Sequence, residues 1–526
     1  MKANIYINKH FEISDIDDRI YSSFIEHLGR QVYGGIVDEV SSVTDENGFR
    51  TDVIELVKKM GLKMVRYPGG NFVSALDWED TIGPKDKRPV RFDVTMREIE
   101  DNSFGLDEFL TWAEVAGVEP MLCINLGTKG VEEARNIVEY CNFEKGTYYS
   151  DLRIKNGHAK PYGVKLWCLG NEMDGSWQAG TKTPTEYGRL ANECAKVMKW
   201  VDPTIELVAC GSSYYTMPTF GAWEAQVLEE CYDNVDYISL HSYYSNDENC
   251  TEQFLGKSLK MAKFIEKTVA TCDYVGAKKK SDKIINISFD EWNVWDSVNH
   301  PLWIKPCCEK GEKRIEQDYT FEDALLTSSM LMTLINHSDR VKISCISELV
   351  NSIAPIKTEG ESAYAQTIFY PFYLMSKYAR GTALRSVVEC DKYNTAEIED
   401  IPYIDTASAW DKENGRLTVA VLNRSLTESI DVKINFSDFV ICGEAKHIEF
   451  SHEDLKAINT AQNPDNVICK DKGSIAVEDN ALSVNVAKHS FNIFTLELKG
   501  NKYESSTKEY FCNNNHTCSC KVSCFV

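Results

Sequence analysis

Between about residues 20 and 380, short apolar runs alternate with amphipathic stretches of helical period. Short apolar runs favour buried strands, and apolar positions that recur every three to four residues favour helices. Strands that alternate with helices are typical of parallel βα units. The eight predicted strands are residues 23–26, 62–66, 120–125, 164–169, 206–209, 237–241, 284–290 and 341–347.

The amphipathic stretches between these strands carry the residues that begin and end helices. Two of them end at Gly61 and Gly117, and a third begins after Pro184 and stops before Asp202-Pro203. Eight strands and eight helices predict a closed (β/α)₈ TIM barrel over residues 15–381. A doubly wound open sheet is the alternative, although no Gly-x-Gly-x-x-Gly turn follows the first strand. The predicted helices are residues 51–60, 105–116, 131–140, 185–200, 220–231, 254–271, 321–336 and 363–379.

After about residue 382 the pattern becomes a series of short alternating runs, separated by Asn, Asp, Ser and Gly. Such runs predict a C-terminal antiparallel β-sandwich domain over residues 382–500, and the alternating run at residues 3–8 is expected to join it as part of residues 1–14. Residues 501–526 are rich in cysteine and are predicted to be a disordered tail. The predicted strands are residues 417–423, 430–436, 446–450, 481–486 and 491–499.

Composition narrows the possible partners and the compartment. The chain has 57 basic and 80 acidic side chains, a net charge of -23, which argues against nucleic acid or an anionic membrane as a partner. A neutral ligand such as a sugar is compatible with this charge. No secretory h-region and no apolar run of membrane-spanning length are visible. Most of the 18 cysteines are scattered singly, as at Cys123, Cys168, Cys210 and Cys345, which favours reduced thiols in a cytoplasmic protein.

Two glutamates at the ends of apolar runs are the main candidates for chemistry. Glu172 follows the fourth predicted strand, and Glu291 follows the seventh. In a TIM barrel the active site lies at the carboxyl ends of the strands, and the fourth and seventh strands lie on opposite sides of the ring. Two facing carboxyl groups can cleave a glycosidic bond, one as proton donor and one as nucleophile.

Other polar side chains gather at six of the eight predicted strand ends. Amides, carboxylates and aromatic rings in such numbers suit the hydroxyl groups and ring faces of a sugar. Strand alternation predicts that Asp290 points away from Glu291 and acts through hydrogen bonds. No spacing typical of metal ligands is present, so no metal is expected. The residues are Glu26, His27, Arg30, Asn71, Asn171, His241, Tyr243, Tyr244, Asp290, Asn293, Trp295, Glu348 and Asn351.

Six segments of the chain resemble, in order, signatures of the α-L-arabinofuranosidases of glycoside hydrolase family 51. The resemblance covers about residues 1 to 500. It implies a (β/α)₈ barrel with a C-terminal β-sandwich, a retaining mechanism without a cofactor, an intracellular location and a homo-oligomer, often a hexamer. The segments are Gly170-Asn171-Glu172-Met173-Asp174-Gly175, Phe289-Asp290-Glu291-Trp292-Asn293-Val294-Trp295, Arg66-Tyr67-Pro68-Gly69-Gly70-Asn71-Phe72, Asp77-Trp78-Glu79-Asp80, His241-Ser242-Tyr243-Tyr244 and Ile353-Ala354-Pro355-Ile356.

The same resemblance implies roles for individual residues. Glu172 matches the general acid/base and Glu291 the nucleophile. The chain departs from the family at two positions, because Glu348 stands where Gln is common and Met96 where Trp is frequent. Glu348 is assigned to substrate binding. The other substrate-binding residues that the resemblance implies are Glu26, Asn71, Asn171 and Tyr243, together with Trp295 on the leaving-group side.

Taken together, the sequence predicts a retaining, exo-acting α-L-arabinofuranosidase that releases terminal arabinofuranosyl residues from arabinan- and arabinoxylan-type oligosaccharides. The two carboxyl groups should then lie about 5–5.5 Å apart. A related barrel glycosidase, such as an endo-β-glucanase or a β-xylosidase, is an alternative that Glu348 keeps open. A metal-dependent barrel isomerase and a sugar-binding protein without activity are further alternatives, and the presence of both glutamates disfavours the last.

Overall fold

A computed structural model describes residues 1–38, 40–302 and 309–499. Eight parallel strands of this part of the chain close into a barrel, in which neighbouring strands follow one another in sequence. The barrel closes where Cys345 and Ile346 of the last strand pair with Ser22 and Ser23 of the first. The predicted number and order of strands are confirmed, and the open-sheet alternative is wrong. The barrel strands are Ser22–Phe24, Met64–Tyr67, Glu119–Ile124, Leu166–Leu169, Glu206–Ala209, Tyr237–Tyr244, Asn286–Val294 and Val341–Ile346.

Helices alternate with these strands and bury one face against them. The first two end at Gly61 and Gly117, which adopt φ angles of 73° and 76°, the left-handed conformation that glycine accepts without strain. The longer helix after the fourth strand starts at Pro184, and the Thr183 side chain caps it by accepting from the Glu186 N–H. Tyr148–Lys155 and Thr251–Leu255 were not predicted. The helices are Thr51–Met60, Leu106–Ala116, Val131–Asn142, Tyr148–Lys155, Pro184–Val201, Ala222–Cys231, Thr251–Leu255, Ser258–Lys279, Phe321–Asn336 and Phe369–Tyr378.

Side chains fill the inside of the barrel, so it is a packed core and not a channel. A cluster that includes Phe24, Met121, Cys123, Cys168 and Cys345 occupies this interior. A much larger core lies between the strands and the surrounding helices. Because the interior is packed, a ligand can bind only at an end of the barrel, and the loops at the carboxyl ends of the strands form that end.

Nine further strands of the described residues form a second closed sheet with its own hydrophobic core, and the others form three small two-stranded sheets. Neighbouring strands of the closed sheet are antiparallel, with one exception. The strand Lys2–Asp15 pairs in parallel with Ile430–Ser437, although it is antiparallel to Thr382–Glu389 on its other side. The predicted antiparallel β-domain after the barrel is confirmed, whereas its exact limits at residues 14, 382 and 500 stay predictions. Three strands, residues 382–389, 404–411 and 469–478, were not predicted. The strands of this domain are Lys2–Asp15, Thr382–Glu389, Ile404–Asp411, Arg416–Asn423, Ile430–Ser437, Ile441–Ser451, Cys469–Glu478, Ala481–Val486 and Ser490–Leu498.

A buried arginine connects the two domains. Arg424 follows the strand Arg416–Asn423, and its guanidinium group donates to Asp405 Oδ2 at 2.5 Å and to Ser329 Oγ at 2.7 Å. Ser329 lies on the barrel helix Phe321–Asn336, and Arg424 Nε also donates to the carbonyl of Leu255 in the barrel. The second domain is therefore held to the barrel by a charge that has no access to water.

The cysteines of the described residues are free thiols, and Cys123, Cys168, Cys210 and Cys345 are buried as expected. The cysteine-rich tail at residues 501–526 lies outside the described residues. Within the described ranges, no helix combines the length and the apolar character that crossing a membrane requires.

Candidate active site

A cavity of about 730 Å³ opens at the carboxyl ends of the barrel strands. Its size is within the range of pockets that hold small ligands. All eight residues that the sequence assigns to catalysis or substrate binding line this one cavity. They are Glu26, Asn71, Asn171, Glu172, Tyr243, Glu291, Trp295 and Glu348.

Glu172 stands on the turn that leaves the fourth strand. Gly170 (φ 88°) and Glu172 (φ 44°) both adopt left-handed conformations there, which turns the chain sharply over the mouth of the barrel. Glu172 Oε1 lies 2.9 Å from His241 Nδ1, and Oε2 accepts a hydrogen bond of 2.5 Å from Trp177 Nε1. The carboxyl group is thus held in one orientation by two ring N–H groups.

Glu291 lies within the long seventh strand, Asn286–Val294, and is 5% exposed. Arg66 Nη1 donates to its Oε1 at 2.8 Å, and the Tyr243 hydroxyl donates to its Oε2 at 2.8 Å. Each oxygen therefore has one strong donor, an arrangement that suits an ionised carboxylate with a fixed direction.

The two glutamates meet across the cavity. One carboxylate oxygen of Glu172, one of Glu291 and a ring nitrogen of His241 all lie within 4.8 Å of one another. Retaining glycosidases hold their two carboxyl groups about 5–5.5 Å apart, and inverting ones about 6.5–9.5 Å. The close approach of one oxygen from each residue favours the shorter, retaining separation. The same three residues are also the group within the described ranges whose donor atoms lie close enough to bind a metal ion.

Asp290 does not turn away from Glu291, contrary to the prediction from strand alternation. Its Oδ1 lies 3.0 Å from His241 Nε2, and its Oδ2 lies 4.0 Å from Arg66 Nε. A register shift between Ser288 and Glu291 against the sixth strand interrupts the alternation, as a β-bulge does. Asp290 and Glu291 consequently contact the same two cations, and the prediction that Asp290 acts through hydrogen bonds is confirmed.

Charges of opposite sign alternate through this network. Burial lowers the pKa of His241, but the carboxylates of Glu291, Asp290 and Glu172 outweigh it and raise that pKa well above its ordinary value. Burial also opposes ionisation of Asp290, yet Arg66 and His241 bring its pKa below the ordinary value. The two acidic residues of the seventh strand and Glu172 therefore favour the imidazolium form of His241.

Glu26, Asn71 and Asn171 form the side of the cavity next to the first, second and fourth strands. Glu26 Oε1 accepts from the Phe72 N–H at 2.8 Å, and Asn171 Oδ1 accepts from Arg66 Nη2 at 2.6 Å. Asn71 Oδ1 accepts from the Gln178 side chain. Asn171 Nδ2 is buried and has no hydrogen-bond partner among the described residues, so it is a donor available to a ligand.

Glu348 follows the eighth strand and is 3% exposed. Its Oε2 also has no hydrogen-bond partner in the described part of the chain. Burial and the nearby charges of Glu26 and Glu291 raise the pKa of Glu348 well above its ordinary value. A third carboxyl group, whose Oε2 has no donor, thus lines the cavity near the charges of Glu26 and Glu291.

Aromatic rings form the outer wall of the cavity. Trp295 packs edge-on against Tyr243 with ring centroids 5.4 Å apart, and its Nε1 donates to the carbonyl of His300. Trp177 stacks on Tyr214 with centroids 5.9 Å apart and is 38% exposed. The sequence did not indicate Trp177 or Tyr214, because they lie on loops that carry no periodic pattern.

Several other polar residues at strand ends serve the fold. Tyr244 is the exception, because it lines the cavity. His27 forms hydrogen bonds with Glu100 and Tyr67, and Arg30 forms an ion pair with Glu316 at 2.8 Å. Met96, the second departure from the family, is fully buried, and its carbonyl accepts from Arg314. Asn293 and Asn351, which also lie near strand ends, form hydrogen bonds inside the protein. Asn293 bonds to Tyr319, and Asn351 bonds to Thr358.

Comparison with known proteins places this site in a family. The model of an α-L-arabinofuranosidase 1 domain matches residues 56–263, and that of an α-L-arabinofuranosidase C-terminal domain matches residues 290–490. The intracellular exo-α-(1→5)-L-arabinofuranosidase 1 of Bacillus subtilis is 47% identical over 94% of this chain and 99% of its own length. An exo-α-(1→6)-L-arabinofuranosidase of Bifidobacterium longum is 40% identical over 92% of this chain and 95% of its own.

Solved structures agree. A family 51 α-L-arabinofuranosidase from Bifidobacterium longum superposes with a TM-score of 0.90 at 38% identity, covering 94% of this chain and 99% of that one. The arabinose complex of an α-L-arabinofuranosidase from Thermotoga maritima gives a TM-score of 0.86 at 33% identity, with 94% and 100% covered.

Proposed function

Since this chain belongs to the α-L-arabinofuranosidases of glycoside hydrolase family 51, we propose that Glu291 is its nucleophile and Glu172 its general acid/base in a double displacement. The observation that carries this assignment is that one carboxylate oxygen of Glu172 lies within 4.8 Å of one oxygen of Glu291 inside one cavity.

In the first step a carboxylate oxygen of Glu291 attacks the anomeric carbon of a terminal arabinofuranosyl unit. The bond to the leaving oxygen breaks, and protonated Glu172 gives its proton to that oxygen. Arg66 and Tyr243 each hold one oxygen of Glu291, which supports its role as a carboxylate of fixed direction.

In the second step Glu172, now a carboxylate, takes a proton from a water molecule, which attacks the anomeric carbon. The bond to Glu291 breaks, Glu291 leaves as a carboxylate, and arabinose is released with retained configuration. His241 contacts Glu172 at 2.9 Å and Glu291 at 3.4 Å, so its positive charge can favour whichever carboxylate is ionised in each step.

The substrates that we propose are arabinose-containing oligosaccharides of the arabinan and arabinoxylan type, cut from their non-reducing ends. The names of the relatives support exo action, with (1→5) and (1→6) linkages among them. The Bacillus subtilis relative is called intracellular, in line with the cytoplasmic location expected for this chain. A homo-oligomer, a hexamer by resemblance, stays a prediction that light scattering after size exclusion tests.

Two variants test the assignment with 4-nitrophenyl α-L-arabinofuranoside and a natural arabino-oligosaccharide. Glu291→Ala should lose turnover on both substrates. Glu172→Ala should retain activity on the aryl glycoside, whose leaving group needs no proton, and added azide should raise that activity. Glu55→Ala, an exposed position on the first helix, is the control and should behave as wild type. If Glu172→Ala is equally inactive on both substrates and azide does not help, the acid/base assignment is wrong.

A substrate panel tests the alternatives. Wild type should hydrolyse 4-nitrophenyl α-L-arabinofuranoside far faster than the corresponding β-xyloside or β-glucoside. Preference for either β-glycoside would support the related glycosidases instead. Activity should also persist in EDTA, and its loss there would indicate a metal-dependent reaction.

A further inference from the structure

Glu348 is a buried carboxyl group that faces the cavity without a hydrogen-bond donor. It is 3% exposed and lines the cavity, and its Oε2 has no partner among the described residues. An ionised carboxylate in such a place loses its hydration without a compensating interaction. The protonated form, by contrast, is neutral and has an O–H group to offer.

The groups around Glu348 come from several elements. Glu26, Arg66, Tyr243 and Glu291 belong to or follow the first, second, sixth and seventh strands, and Tyr319 precedes the helix Phe321–Asn336. Arg66 is the one cation in this set. Its Nη1 donates to Glu291 and its Nη2 to Asn171, while its Nε lies 4.0 Å from Asp290 Oδ2.

The two hydroxyl groups in this set are also committed elsewhere. Tyr243 donates to Glu291, and Tyr319 donates to the carbonyl of Val294. The two carboxyl groups repel a charge on Glu348. The surroundings therefore favour its neutral form.

Glu26 and Glu348 are not equivalent in this cluster. Glu26 Oε1 accepts from the Phe72 N–H at 2.8 Å, and a hydrogen bond of that kind favours the ionised form. Burial raises the pKa of both residues, and each charge raises the pKa of the other group further. When two carboxyl groups share one site, the group without donors keeps its proton. That group is Glu348.

We propose that Glu348 is a neutral carboxylic acid whose O–H donates a hydrogen bond to a hydroxyl group of the bound arabinofuranosyl unit. This inference rests on the proposed function, because it concerns how the same cavity holds its sugar. A glutamine at this position, as the family resemblance would suggest, can donate from its amide at every pH. Glu348 donates only while it is protonated, so sugar binding in this chain weakens when the pH rises through its ionisation.

Three variants separate donation from simple space filling. In wild type, KM for 4-nitrophenyl α-L-arabinofuranoside should rise about tenfold from neutral to alkaline pH, the worth of one hydrogen bond. Glu348→Gln should keep the wild-type KM at neutral pH and hold it flat to alkaline pH. Glu348→Met, of similar length but without a donor, should have a KM about tenfold higher throughout. Glu55→Gln is the matched control and should follow wild type.

Substrates that lack one hydroxyl group provide a second readout that a merely structural residue would not change. Removal of the hydroxyl group that Glu348 contacts should raise KM about tenfold in wild type and hardly at all in Glu348→Met. Removal of either of the other hydroxyl groups should raise KM by the same factor in wild type and in Glu348→Met. Infrared difference spectra of wild type minus Glu348→Gln at neutral pH should also show the carbonyl band of a protonated carboxyl group, a measurement that needs no activity.

The proposal is overturned if Glu348→Gln follows wild type at every pH, if it binds as poorly as Glu348→Met at neutral pH, or if the infrared band is absent. These outcomes differ from failure of the proposed function, in which wild type would hydrolyse no arabinofuranoside at any pH.

Discussion

Replacement of Tyr243 by phenylalanine tests how the cavity controls the charge of Glu291. The Tyr243 hydroxyl donates to Glu291 Oε2 at 2.8 Å, while Arg66 serves the other oxygen. The change removes one donor and leaves the ring, so packing against Trp295 is retained. In the second step the departing Glu291 becomes a carboxylate again, and the hydroxyl group stabilises the charge that it regains.

The size of the expected rate change follows from the kind of hydrogen bond that Tyr243→Phe removes. A hydrogen bond to a charged group contributes about 1.5–3 kcal/mol, and about 1.4 kcal/mol corresponds to a tenfold change in rate. Loss of the full bond would slow departure of Glu291 by roughly 10- to 150-fold. Because only part of the charge has returned in the transition state, we expect the lower end, about tenfold.

The assay is stopped-flow hydrolysis of 2,4-dinitrophenyl α-L-arabinofuranoside, whose leaving group makes the first step fast. Tyr243→Phe should release about one equivalent of dinitrophenol in a burst, followed by a kcat about tenfold lower and a lower KM, because the covalent intermediate accumulates. Tyr237→Phe is the control, since Tyr237 donates to Glu206 at the other end of the same strand. An unchanged kcat, or a higher KM without a burst, would refute the reasoning.

Three further predictions concern the surroundings of the site. Trp177→Phe removes the N–H group that donates to Glu172 Oε2. The value of kcat/KM should therefore fall about tenfold on arabino-oligosaccharides and only slightly on the dinitrophenyl glycoside. An equal loss on both substrates would contradict this prediction. The raised pKa of His241 contributes stability that is fully present below about pH 6.5 and is lost as the pH rises through the folded-state value. The difference between wild type and His241→Asn in urea unfolding should therefore be largest at pH 6 and smallest at alkaline pH, and the opposite trend would contradict it. Arg424→Met removes the cation beside the partly exposed Asp405 and should lower the free energy of unfolding by about 1.5–3 kcal/mol without changing KM, whereas an unchanged unfolding midpoint would be contrary to expectation.

The barrel could be predicted from the sequence because most of its strands contain a short apolar run bounded by polar residues. The ends were less predictable. The sixth and seventh strands continue to Tyr244 and Val294, beyond the predicted residues 241 and 290. The ladder there aligns Glu291 with His241 and Asn293 with Tyr243, which are polar residues at the barrel mouth. An apolar pattern cannot indicate such pairs.

The positions of Glu172 and Glu291 could be predicted because strand ends converge in a barrel, whereas their proposed roles came from the family resemblance. The direction of the Asp290 side chain could not be predicted, because it depends on a β-bulge that the hydrophobic pattern does not indicate. The part played by Arg66 was also hidden, because its partner Glu291 is 225 residues away. Trp177 was missed because a loop tryptophan has no periodic signal.

The central claim is that Glu291 forms a covalent bond to arabinose during turnover. Glu172→Ala can be mixed with 2,4-dinitrophenyl α-L-arabinofuranoside, quenched with acid within the first turnover, and digested for peptide mass spectrometry. We expect an arabinosyl adduct on Glu291. An adduct on Glu348 or Glu26, or no adduct together with arabinose of inverted configuration in the NMR spectrum of wild-type product, would contradict the claim.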